Sequence, residues 1–76
     1  MSARLVVTFN DHIPLKRVAG MVSGIAAYGN VLPRGSNRDF SVEVFRVSKL
    51  PSLKDQLVQW EIHGFLRWST DSEISN

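Results

Sequence analysis

The order of strand-like and helix-like segments constrains this chain more than any other feature of its sequence. From Ala3 to Asn10, apolar and mostly polar positions alternate with a period of two, which is typical of a strand with one buried face. After Pro14, which suits a first helical turn, apolar residues recur at helical spacing. Two further strand-like segments follow, Asn30 to Leu32 and Phe40 to Val47.

The C-terminal third adds a second helix and a last strand. The helix places four apolar side chains on one face, Leu50, Leu53, Leu57 and Trp60. Gly64 is a suitable stop for it, and residues 65–69 are predicted to form the strand. With right-handed crossovers, this order predicts an α+β ferredoxin-like sandwich, in which two helices cover one face of a four-stranded antiparallel sheet. We expect one domain over residues 1–70 and a flexible polar tail over residues 71–76.

The apolar pattern also predicts which side of each element faces the core. On the first helix the inner side comprises Leu15, Val18, Ala19, Val22, Ile25 and Ala26, with Met21 and Tyr28 at its margin. The third strand offers two choices, Phe40, Val42 and Val44 or else Phe45 and Val47. We assign the first set inward, because the second would bury Glu43 without a partner.

Glycine and proline mark the predicted connections between these elements. Gly29, with Asn30, is expected to end the first helix in a left-handed conformation. Pro33 cannot donate a ladder hydrogen bond, so the short second strand should lie at a sheet edge. The segment from Arg34 to Asp39 is predicted to be a loop.

Composition excludes several classes of function. The chain has 76 residues and no cysteine, which rules out disulfides, thiolate nucleophiles and cysteine-built zinc sites. No apolar run approaches the roughly 20 residues of a membrane-spanning helix, and the N-terminus does not resemble a signal peptide. We therefore expect a cytoplasmic protein with no membrane contact. Because no nucleophile elbow or carboxylate pair is recognisable, we also expect no enzymatic activity and no cofactor.

A polar rim is the first candidate surface. Chain direction brings the end of the first strand, the 34–39 loop and the end of the second helix to one end of the predicted sheet. The residues concerned are Asn10, Asp11, His12, Arg34, Arg38, Asp39 and His63. Two arginines could bind a phosphate or carboxylate, whereas the histidines lack metal-ligand spacing and we predict no metal site. The alternative is that these loops are polar only because they are solvated.

The outer side of the first helix is the second candidate surface. Gly20 and Gly24 each cost about 1 kcal/mol relative to alanine inside a helix, and they fall away from the predicted core. With Ser23 and Ala27 they form a smooth surface on which a partner could lie closely. A local break in the helix, or a small error in its rotation, would explain the glycines equally well.

The open face of the sheet is the third candidate surface. It should display Arg4, Val6, Thr8, Ser41, Glu43, Phe45, Phe65 and Arg67. Arg4 and Arg67 would flank Glu43 across neighbouring strands. Exposed Phe45 and Phe65 could stack on nucleic-acid bases or become buried in a dimer.

One segment resembles a known signature. RDFSVEVF resembles the first ribonucleoprotein motif of RNA-recognition proteins at Arg38, Phe40, Ser41 and Phe45. It departs from that motif at Asp39, Val42 and Glu43, and its register contradicts the burial assigned above. The chain is therefore not assigned to that family.

Two functional hypotheses follow. The first is a small non-enzymatic protein–protein interaction module, such as an adaptor, a regulatory subunit or a phage-type inhibitor of a host complex, which could also form a homodimer. The alternative is a nucleic-acid-binding module that uses the arginine-bearing loop and the open sheet face. Arginine outnumbers lysine six to three, but the net charge is only +2 and the acidic residues are interleaved.

Overall fold

The computed structural model describes residues 2–73, which form a ferredoxin-like fold as predicted. The elements are β1 (Ala3–Phe9), α1 (Leu15–Ile25), β2 (Asn30–Ser36), β3 (Asp39–Val44), α2 (Leu50–Ile62) and β4 (Leu66–Glu73). A short 3₁₀ turn, Val47–Lys49, precedes α2. The strands form one antiparallel sheet in the order β2-β3-β1-β4, and both helices join their apolar side chains to the core on one face of that sheet.

The core lies between the central strands and the helices. Leu5, Val7 and Phe9 point inward from β1, and Val42 and Val44 point inward from β3. These pairs confirm the inward assignment of the third strand. The inner side of α2 is also confirmed, since Leu50, Leu53 and Leu57 are buried and Trp60 packs against the same cluster. Burying each such leucine contributes roughly 1.5–3 kcal/mol of transfer free energy.

The rotation of α1 differs from the prediction. The buried side consists of Val18, Met21 and Ile25, whereas Leu15 is 47% exposed and Ala19 is exposed too. The helix has one line of closest contact with the sheet. Centring that line on Met21 and Ile25 removes more apolar surface from water than centring it on alanines. The predicted inner side was therefore rotated about the helix axis away from the side that is buried, and part of it lies on the surface.

Gly29 has a different role from the one predicted. In the described residues only Gly35 and Gly64 have positive φ, so Gly29 does not end α1 in a left-handed conformation. Instead, a Cβ atom at Gly29 would overlap the backbone carbonyl of Glu43. Glycine is needed here because the α1–β2 connection passes close to β3.

The β2–β3 hairpin is tighter than expected. Strand β2 continues to Ser36, so only residues 37 and 38 form the turn where a six-residue loop was predicted. Pro33 pairs with Phe40 and Ser36 with Asp39, so two residues bulge from β2, and one of them is Gly35 at φ 105°. The edge position predicted for Pro33 is confirmed.

The last strand is longer than predicted. Gly64, at φ 78°, follows α2 as expected, and β4 then runs from Leu66 through Glu73. The first three residues of the predicted tail thus belong to β4, where Ser72 and Glu73 pair with β1, and residues 74–76 lie outside the described part of the chain. Within that part, no helix is both long and apolar enough to cross a membrane.

Candidate functional site

The polar rim brings three loops together, but its hydrogen bonds are internal. Nη1 of Arg38 donates to the carbonyl oxygens of Asn10 and Ile13, which ties the hairpin turn to the β1–α1 loop. The amide side chain of Asn10 donates to the carbonyl of Gly64, and its backbone N–H donates to the carbonyl of Phe65 over 3.0 Å. The rim residues therefore join the loops to one another by hydrogen bonds, and Arg38 has a structural role in this network.

The other rim residues are also engaged or scattered. Nη1 of Arg34 lies 3.8 Å from Oδ1 of Asp39, and that carboxylate accepts a 3.2 Å hydrogen bond from Thr8. The His63 ring stacks on Phe65, with 5.8 Å between centroids, while His12 is exposed. Residues 2–73 contain no group of three or more side chains placed to hold a metal ion.

The open sheet face lacks the two aromatic side chains that were predicted for it. Phe65 precedes β4, is half-buried against the core, and lies under Arg17, whose Cζ is 5.6 Å from the ring centroid. Phe45 is 57% exposed but follows β3, beside the α1–β2 connection. The assignment of this pair to the open face was therefore wrong. The base-stacking hypothesis loses the exposed aromatic pair on the sheet face that it required.

The residues that do occupy the open face are mainly polar. Arg4 and Glu43 are cross-strand partners, 4.0 Å apart, as predicted. The prediction that Arg67 also flanks Glu43 was wrong, because β4 is separated from β3 by β1 and Arg67 lies opposite Thr8. Arg67 is exposed, and no residue in the described chain pairs with its guanidinium. Leu32 is 58% exposed opposite Ser41. This face is thus a mixed, charged surface with isolated apolar side chains.

The glycine side of α1 is open, as the sequence predicted. A Cβ atom at Gly20 would meet nothing within 4 Å among the described residues. At Gly24 it would lie 4.0 Å from Cη2 of Trp60, which is an ordinary contact. Neither glycine is required by packing within the described part of the chain.

An apolar groove between α1 and the β2–β3 hairpin was missed by sequence reasoning. We call it the α1–hairpin groove; its volume is about 470 Å³. It is lined by Leu15, Val18, Ala19 and Val22 of α1 and by Pro33, Ser36, Asn37 and Phe40 of the hairpin. Phe40 packs edge-on against Phe9, at 6.0 Å between centroids, so its position is held by the core.

The sequence did contain a signal for this groove. Helix α1 and its C-cap residue, Ala26, carry two apolar stripes. One is Val18, Met21 and Ile25, and the other is Leu15, Ala19, Val22 and Ala26. Both were merged into one inner side, although a helix that packs on one sheet buries a single stripe. The second stripe lines the groove, together with Val18, and continues past it to Ala26.

A second depression lies at the other end of that stripe. It has a volume of about 270 Å³ and is lined by residues 26–30 together with Phe45, Arg46 and Lys49. Arg46 and Lys49 are exposed, and neither pairs with another residue between positions 2 and 73. The exposed stripe of α1 thus runs from an apolar groove to a basic, aromatic-bearing corner.

Comparison with protein-family models, with curated proteins and with solved structures found no match to this chain.

Proposed function

We propose that this protein is a small non-enzymatic protein-interaction module, which holds a helical segment of a partner protein in the α1–hairpin groove. The observation that carries the proposal is that Leu15, a large apolar side chain, is 47% exposed at the mouth of an apolar groove of about 470 Å³. Exposed apolar concavities of this kind are typical of protein and ligand contacts. An adaptor, a regulatory subunit or an inhibitor of a larger complex could use it.

The spacing of the exposed stripe favours a helix as the occupant. Leu15, Ala19, Val22 and Ala26 recur at intervals of four, three and four residues. Alternating intervals of three and four residues are typical of the surface along which two helices pack with interlocking side chains. The two alanines leave room for the partner's larger apolar side chains, so the recognition would be of the helix-in-groove kind.

Addition of a partner strand to the sheet is less well supported. The β2 edge is interrupted by Pro33 and by the bulge at Gly35. The β4 edge also has a register shift: Leu5 pairs with Thr70 and Arg4 with Ser72, which leaves Asp71 as an extra residue. Proline, bulges and charges are the features that keep exposed sheet edges from pairing.

The nucleic-acid alternative has lost part of its support. Arg38 is used by backbone carbonyls, Arg34 is paired with Asp39, and no aromatic side chain of the predicted pair lies on the open face. A homodimer would be a special case of the proposed function, with a second copy as the partner. A cytoplasmic location stays a prediction from the sequence.

Selection from a displayed library of helical peptides tests the proposal. We expect enriched peptides whose binding falls at least about tenfold for Leu15→Glu, because a carboxylate would be desolvated in the groove. The matched control is Ile62→Glu, since Ile62 is 70% exposed at the end of α2 and outside the groove. Circular dichroism should show both variants folded. If no peptide is enriched, or if both variants bind equally, the proposed function is wrong.

A further inference from the structure

The exposed stripe of α1 has positive charge at both ends. Lys16 follows Leu15 at the first end, and it lies one helical turn before Ala19. Arg46 and Lys49 line the depression that contains Ala26 at the other end. None of these three cations pairs with a residue in the described part of the chain.

Most other cations of the domain are already engaged. Arg4 pairs with Glu43 and Arg34 with Asp39. Arg38 donates to two carbonyls, and Arg17 lies over the Phe65 ring. No acidic residue occurs in α1. Apart from Arg67 on the open face, the unpaired arginines and lysines between positions 2 and 73 therefore flank the stripe.

We infer that the partner segment is an acidic amphipathic helix, with apolar residues at four- and three-residue intervals and carboxylates near both ends. This inference rests on the proposed function. From Leu15 to Ala26 the stripe spans twelve residues, or about 16 Å of helix, so a partner helix of about three turns reaches both basic ends. Complementary charge at the ends would fix which helices are accepted, while the groove supplies the apolar contact.

Three synthetic peptides of about 18 residues provide the test. They share leucines at four- and three-residue spacing and differ only in the flanking residues, which are all Glu, all Gln or all Lys. Binding to the intact chain is measured by fluorescence anisotropy at about 0.05 M and about 0.5 M salt. We expect the Glu peptide to bind at least about tenfold more tightly than the Lys peptide at low salt, and the difference to shrink at high salt.

Variants then assign the preference to the three cations. Lys16→Gln combined with Arg46→Gln and Lys49→Gln should remove the difference between the peptides. Arg67→Gln is the control, because it removes an exposed, unpaired cation from the opposite sheet face and should leave the preference intact. Leu15→Glu should abolish binding of the Glu and Gln peptides.

The outcomes separate this inference from the proposed function. If the three peptides bind equally and Leu15→Glu still abolishes their binding, the acidic partner is ruled out and the groove remains the binding surface. Binding that Leu15→Glu does not change overturns both, as does failure of every peptide to bind. If Leu15→Glu instead alters sedimentation of the chain alone, the occupant is a second copy. If a single-stranded oligonucleotide binds the same three cations more tightly than the Glu peptide, the basic ends serve nucleic acid.

Discussion

The polar rim and the α1–hairpin groove are neighbouring regions that differ in whether their side chains already have partners within the fold. At the rim, Arg38 gives its hydrogen bonds to Asn10 and Ile13, so a charged loop residue acts as scaffold. In the groove, Leu15 has the side chain of a core residue yet is half exposed. Judged by residue type alone, Arg38 would be assigned to a binding surface and Leu15 to the core, which is not what the structure shows. The two are distinguished by whether the side chain already has partners within the fold.

The largest expected difference concerns two leucines. Leu57→Ala should cost about 2–5 kcal/mol of the free energy of unfolding, because Leu57 is fully buried and its loss leaves a cavity. Leu15→Ala should cost less than about 1 kcal/mol, since much of that side chain already contacts water. Urea denaturation of both variants measures the difference. Similar losses for the two would mean that Leu15 belongs to the core and that the groove is closed in solution.

A smaller difference is expected between two arginines of the rim. Arg38→Met should destabilise the fold by about 1–3 kcal/mol, because two loop carbonyls lose their donor. Arg34→Met should stay within about 0.5 kcal/mol, since its ion pair with Asp39 is exposed. Both values come from the same denaturation experiment. Equal and negligible effects would show that Arg38 is available for a ligand after all.

The order of elements was predictable because β1 and α2 have clear periods. Strand β1 alternates through Leu5, Val7 and Phe9, and α2 repeats its leucines at helical spacing. The meeting of the rim loops also followed from topology. The hydrogen bonds of Arg38 could not be predicted, because they depend on a two-residue turn where the sequence indicated a six-residue loop.

The groove could not be predicted because apolar residues cover a wide arc of α1. Leu15 and Met21 both lie within reach of a core-facing side, and the sequence does not say which of them the sheet will bury. The choice depends on how α1 packs against the sheet, which involves contacts between distant segments. Gly29 shows the same limit, since its close approach to Glu43 is a tertiary contact that its sequence position at a helix end concealed.

Chemical-shift mapping with a peptide selected on the intact chain tests most directly the central claim that the exposed side of α1 is the binding surface. We expect the largest amide perturbations along α1 and in the hairpin from Ser36 to Phe40, with little change at Arg4 and Thr8 on the open face. Perturbations concentrated on the open face, with α1 unchanged, would contradict the account.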